Sequence, residues 1–160
     1  MFQDEGQLNS VFDRLQNIFG SIEDKSEVFN VDDFTDYYQK EMGTNVRKMI
    51  ISFSDSITLE MLPDMKLKSN ALEQEFLASG KRTVNIDTGY LTQAKVVLAT
   101  TKDYMHRIYL DHGIFADLHL TYTGNSFQPQ KWTYPDYKQE PVINFFNKVR
   151  TTLRNQLPKI

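Results

Sequence analysis

The sequence predicts an α+β domain: a mostly antiparallel sheet, amphipathic helices packed on it, and a C-terminal helix closing the domain. Three observations carry this expectation. Apolar residues recur at helical spacing near both ends of the chain, as Leu8, Val11, Phe12, Leu15, Ile18 and Phe19, and as Val142, Phe145, Phe146, Val149, Leu153 and Leu157. From His106 to Tyr122 the pattern alternates about Asp111-His112-Gly113, which reads as a hairpin. The elements run α-β-β-α-β-(β)-β-β-α, neither strictly alternating nor segregated, which is an α+β order. At 160 residues the chain is expected to be a single domain, residues 1–160.

The first helix takes its cap from Asn9 or Ser10 and stops at Gly20. Glu27 to Val31 is a short strand candidate. An acidic, aromatic stretch follows, DDFTDYYQKEMG, read as a solvated turn with Tyr37 or Tyr38 packed inward. Val46 to Phe53 alternates as a strand. Pro63 interrupts the chain, and Leu67, Ala71, Leu72 and Phe76 mark a second helix that ends near Gly80. Arg82 to Asp87 is a strand with Val84 and Ile86 on one face and Asn85 and Asp87 on the other. Asp87-Thr88-Gly89 is a turn signal. The run from Leu91 to Thr101 is read as a helical turn over Thr92 to Ala94 leading into a buried strand over Lys95 to Ala99.

The hairpin register follows from segregation of its faces. A three-residue loop with Gly113 in the left-handed position pairs Leu110 with Ile114, Ile108 with Ala116 and Arg107 with Asp117. One face then collects Ile108, Leu110, Ile114, Ala116, Leu118 and Leu120, with His106 on that apolar side. The other collects Arg107, Tyr109, Phe115, Asp117, His119 and Thr121. A two-residue loop would put Ile108 opposite Asp117 and mix the two sets, so the segregating register is expected to win. Asn125 to Tyr137 is an extended, proline-bearing connector, and a connector of that length in a compact domain is often functional.

Composition excludes several classes of function. The net charge is −3 and the pI about 5.6, so a protein held to nucleic acid by phosphate neutralisation is not expected. There is no cysteine, which removes disulfides, thiolate catalysis and Cys-ligated metal. The opening MFQDEGQLNS is no signal peptide. No apolar run approaches the roughly 20 residues that span a bilayer. A cytoplasmic protein without a membrane partner is expected. Asp32, Asp33, Asp36 and Glu41 lack the spacing of a calcium loop. No metal or cofactor is assigned. Walker, GxGxxG, GxSxG and HExxH motifs are missing.

DDFTDYYQKEMG, then NIDTGYLTQAKVVLATTKDYMHRIYL, then FQPQKWTYPDY and the closing helix resemble the bacterial domain-of-unknown-function family 4416 (DUF4416) over nearly the whole chain, in order. The resemblance implies no established activity. Some members carry a GTP-binding label that no motif in this sequence supports. The resemblance also implies a short apolar strand ahead of the first helix. Here Met1 falls just before that helix, so an exposed sheet edge or groove is expected. Thr88 stands where the family has proline.

The candidate site gathers around the buried run Val96 to Ala99. His106 and Asp87 are the candidate catalytic residues: an imidazole is the commonest acid–base group, and Asp87 sits between a strand and a glycine turn. Asn85, Lys102, Arg107, Trp132 and Tyr134 are the candidate ligand contacts. Lys102 and Arg107 suit a phosphate, and the aromatic connector suits a planar ring. If the strands lie side by side, Asp87, Lys102 and Arg107 share one rim. Each residue has a structural alternative: a core histidine, a cross-strand Arg107–Asp117 ion pair, and aromatics that tie the connector down. His106, His112 and His119 form a zinc site only if that register fails, since His106 and His119 are expected to face opposite ways. The expected function is binding of a small phosphorylated or nucleotide-like ligand, with enzymatic turnover undecided. The alternative is a non-catalytic protein-interaction module.

Overall fold

The computed structural model describes residues 1–157. The chain forms two compact units, Met1–Asp87 and Thr88–Ile160. Every strand pairing among the described residues is antiparallel. The architecture is α+β, as the sequence predicts.

In the first unit α1 spans Leu8–Phe19 and buries Val11, Leu15 and Phe19. The helix is not capped by Asn9 or Ser10. A 3-10 turn over Glu5–Gln7 leads into it, and Asp4 caps that turn by accepting from the Gly6 N–H. Gly20 ends α1 at φ 92°, a conformation that favours glycine. Strand β1 (Ile22–Lys25) was not apparent in the sequence. The candidate strand at 27–31 shrinks to β2 (Phe29–Asn30). The acidic stretch holds a 3-10 turn and α2 (Gln39–Met42), with Asp32 Oδ2 accepting from the Asn45 N–H at 2.6 Å. The expected strand over 46–53 divides into β3 (Arg47–Lys48), paired with β2, and β4 (Ile51–Phe53), paired with β1. Helix α3 spans Leu62–Glu75. Pro63 does not interrupt it but lies in its first turn, where a missing N–H costs nothing. A tight hairpin follows, β5 (Leu77–Ala78) and β6 (Lys81–Arg82), turning through Ser79 and Gly80 at φ 50° and 75°.

Beyond Arg82 the expected strand is reduced to a bridge at Val84. Phe2 forms antiparallel bridges to Arg47 on one side and Val84 on the other, and is 3% exposed. The slot expected to stand open is therefore filled by the chain's own first residues. The core of this unit is Val11, Leu15, Phe19, Leu72 and Val84, with Phe53, Phe76 and Ile86 packed on it.

The second unit is a five-stranded sheet. Strands β7 (Gly89–Leu91) and β8 (Lys95–Thr100) form a hairpin. Thr92 Oγ1 accepts from the Ala94 and Lys95 N–H groups, so a bend replaces the expected helical turn. β9 (Arg107–Asp111) and β10 (Ile114–Thr123) form the hairpin expected between them. The loop has two residues, not three: His112 and Gly113 both have positive φ, as a type I′ turn requires, and Ile114 pairs with Asp111. A bulge at Leu110 then absorbs one residue, and the predicted pairs Ile108↔Ala116 and Arg107↔Asp117 are restored. Ile108 and Asp117 lie on opposite faces, as the register required. Burial does not follow the apolar face, however: Ile114 is buried on it as expected, but polar residues of the other face are buried as well. Ile108 is 70% exposed, whereas Asp117 and His119 are fully buried.

The expected connector begins as β11 (Ser126–Pro129), which pairs with β10 through a turn at Gly124 and Asn125. A 3-10 turn over Pro135–Lys138 leads into α4 (Glu140–Gln156). The helix packs on β11 through Phe146, whose ring lies against Phe127 and Tyr137. Asn147 clasps the strand, accepting from the Phe127 N–H and donating to Ser126 Oγ. Arg150 donates to the Gln93 carbonyl at 2.7 Å and covers the Tyr122 ring.

Two glycines separate backbone strain from contact. A Cβ on Gly113 would meet nothing within 4 Å, but φ is +73°. A Cβ on Gly89 would collide with the Val97 carbonyl and lie 2.8 Å from Leu98 Cδ2. Gly113→Ala is expected to lose about 1 kcal/mol. Gly89→Ala is expected to lose about 1–3 kcal/mol through overpacking. Urea unfolding of both variants checks the order; a larger loss at Gly113 contradicts it.

Candidate functional site

The central group is the Asp117 carboxylate, on β10 and 1% exposed. Three cationic or imidazole side chains surround it. Arg107 Nε donates to Oδ2 at 2.8 Å. His119 Nδ1 lies 3.2 Å from Oδ1, and His106 Nε2 lies 3.5 Å from the same oxygen. Burial alone would raise the Asp117 carboxyl; the hydrogen bond and charge of His119, then the charge of Arg107, outweigh it and hold the group below the ordinary aspartate range. Asp117 is thus a carboxylate and only accepts, so His119 Nδ1 carries a proton. His119 Nε2 is buried without a hydrogen-bond partner.

Arg107 is held by other bonds as well. One terminal nitrogen donates to the Lys102 carbonyl and the other to Tyr134 Oη, both at 3.0 Å, and the Tyr104 ring lies 4.5 Å from the guanidinium carbon. The residue is 9% exposed. Its planar fork suits this arrangement.

A bulge and a gap explain why the connector closes here. His119 is the extra residue where β10 shifts register against β8. On the other side of β10 the pairing with β9 ends at Asp117, and the pairing with β11 starts at Leu120. The carbonyls between are satisfied by connector side chains: Trp132 Nε1 donates to Leu118 O at 2.7 Å, and Thr133 Oγ1 donates to His119 O. Buried carbonyls need such partners.

Trp132 in turn stacks on His106, with centroids 4.8 Å apart and planes at 17°. Tyr104 lies against His106 at 6.3 Å and 12°. Tyr104 is 56% and Trp132 38% exposed, so the rings form a partly open aromatic face. Tyr134 and Tyr137 meet His119 edge-on beneath it.

His106 does not lie on the face opposite Arg107. It precedes β9, in a turn where strand alternation no longer applies, and its ring reaches Asp117. His106 and His119 therefore converge on one carboxylate rather than facing opposite ways. Among the described residues no group of three or more His, Asp or Glu is arranged to hold a metal ion.

Asn85 and Asp87 belong to the first unit. Asn85 Nδ2 donates to Asp87 Oδ1 at 3.2 Å. Lys48 Nζ stands 3.6 Å from Asp87 Oδ2, and Lys66 Nζ donates to the Ile86 carbonyl at 2.9 Å. Burial would raise the Asp87 carboxyl; the charges of Lys48, Lys66 and the N-terminal ammonium, with the Asn85 bond, hold it below its ordinary value. Nearby, Glu73 accepts from the Ile86 N–H and from Arg82, which also binds Glu41. Lys48, Lys66 and Glu73 escaped the sequence reading, because nothing in a lone lysine or glutamate marks it as buried. Tyr104 escaped too, lying in a turn without periodicity. Asp117 and His119 did carry a signal: two polar residues two apart share one face of a strand.

Fold and site together define a small α+β protein with a buried Arg–Asp–His network under an aromatic face. The chain belongs to DUF4416, a domain of unknown function whose family matches residues 1–153. No curated protein and no solved structure matches the chain. No helix among the described residues is long and apolar enough to cross a membrane.

Removing the arginine tests the network. Arg107→Ala takes away the cation bound to the buried Asp117 carboxylate, and is expected to lose about 3–5 kcal/mol. The acid limb gives a second test. Asp87 and Asp117 both have folded values below their ordinary ones. Their stabilisation is complete above the unfolded value of about 3.9, and is lost as the pH falls through the depressed folded values. Asp117→Asn is expected to flatten the pH dependence of urea stability in that window and to leave it unchanged at neutral pH and above.

Proposed function

We propose that this chain binds a small phosphorylated or nucleotide-like ligand, whose planar ring stacks on the open side of the Tyr104–His106–Trp132 stack. The observation that supports this most is the near-parallel run of three rings, open to solvent at Tyr104 and Trp132. Such a surface takes the flat face of a base or similar ring. Lys102, in the exposed loop between β8 and β9, is the basic residue this reading assigns to the phosphate. Arg107 and Tyr134 serve this face from below, through the bond that joins them. A catalytic role would fall to His106, the imidazole among the rings of this face.

Trp132 is the sole tryptophan, so its fluorescence reports on this face. Titration with nucleotides and sugar phosphates is expected to quench it. A ligand at 100 times its dissociation constant adds about 2.7 kcal/mol, visible as a thermal shift. Trp132→Ala and Lys102→Ala are expected to abolish that shift while the unliganded protein stays folded. A screen in which no compound quenches Trp132 or raises the melting temperature rejects the reading.

A second reading, a protein-interaction module, is favoured by the outward side of β9. Ile108 is exposed there, with Met105 exposed just before the strand, and among the described residues β9 pairs with β10 alone. Exposed apolar residues on an edge strand are a docking surface for another chain. Ile108→Lys would abolish such docking and leave ligand binding intact.

A further inference from the structure

We propose that Asp117 is the positioning residue for His106, holding its Nε2–H so that Nδ1 is left as the proton acceptor for a hydroxyl or N–H of the bound ligand. The proposal rests on the reading that a ligand occupies the aromatic face, and it adds the chemistry that face recognises.

The argument runs from Asp117 outward. Its Oδ2 is taken by Arg107 Nε at 2.8 Å, which fixes the plane of the carboxylate. Its Oδ1 is turned to His119 Nδ1 at 3.2 Å and to His106 Nε2 at 3.5 Å. A carboxylate has no proton to give, so an imidazole nitrogen facing it is the protonated one. At 3.5 Å the His106 contact is longer than an ordinary hydrogen bond, and it turns the Nε2 edge of the ring towards the carboxylate. His106 is also held by its ring faces, through Trp132 and Tyr104, and its side chain is 15% exposed. A ring stacked in this way meets further partners through its edge. With Nε2–H turned to Asp117, the second ring nitrogen of the neutral imidazole is a lone-pair acceptor.

The network gives Asp117 reasons to stay ionised that do not involve the ligand. Arg107 is bound to it, and His119 donates from the interior, where it is fully buried. Only His106, of the three side chains around the carboxylate, lies on the open aromatic face. A purely structural Asp117 would be satisfied by Arg107 and His119 and would have no need of a second imidazole. The ligand class that follows is a planar ring bearing a hydroxyl or ring N–H, together with the anionic group that Lys102 meets.

Long-range ¹H–¹⁵N correlation spectra of the ring nitrogens test this in the unliganded protein. With three histidines the rings are assigned by single His→Gln variants. The expected result is His106 as one tautomer, Nε2–H, with a downfield and slowly exchanging Nε2 proton. In Asp117→Asn the ring is expected to relax to the tautomer mixture of free histidine and to lose the slow proton. A wild-type His106 that is protonated on Nδ1, or that already shows the free mixture, overturns the proposal whether or not Asp117→Asn folds. The measurement uses no ligand, so its failure is separate from failure of the ligand reading, which the Trp132 titration decides.

Discussion

The second unit depends on one buried charge. Asp117 is enclosed on β10, and an unpaired carboxylate there would be severely destabilising. The surrounding chain is arranged to prevent that. Arg107 comes from the neighbouring strand and His119 from the next position on the same face of β10. Tyr134 then binds the arginine, and Lys102 supplies a carbonyl to it. The loop before β9 and the connector after β11 are thus tied to the same carboxylate. The cost of this arrangement is an apolar strand surface left in water, at Ile108 and Leu110.

The aromatic face is a consequence of a backbone irregularity. The bulge at His119 and the gap between β9 and β11 leave carbonyls on β10 to be paired. Trp132 and Thr133 pair them, and in doing so the indole is laid against His106. Bulges of this kind re-aim side chains near functional sites. One set of bonds therefore stabilises the fold and builds the open surface. Trp132 thus ties the connector down and presents an open ring at once, while Tyr134 lies beneath it against His119.

In the first unit the same logic applies to a larger charge network. Two buried lysines stand close to Asp87, and Glu73 is shared between Arg82 and the Ile86 N–H. Phe2 completes that unit by pairing on both sides. The first residues of the chain act as a short inner strand, although periodicity alone marks nothing in so short a segment.

Local chemistry was legible in the sequence. The amphipathic faces of α1 and α4, the positive φ at Gly20 and Gly113, the β9–β10 pairing of Arg107 with Asp117 and the fold class all follow from spacing, turn residues and the separation of polar from apolar side chains. Short elements were not legible, because strands of two or three residues, such as β2, β3, β5 and β6, carry too few positions to show a period. The hairpin shows the boundary between the two kinds of information most clearly. Face segregation determined the pairs Ile108↔Ala116 and Arg107↔Asp117 but not Leu110↔Ile114, because a two-residue loop with a bulge at Leu110 reaches the same register beyond the turn. Which face is buried was decided only by tertiary structure. Alternation says that two sets of side chains point opposite ways; it cannot say that Arg107, Asp117 and His119 neutralise and hydrogen-bond one another well enough for the polar set to face inward while Ile108 meets solvent.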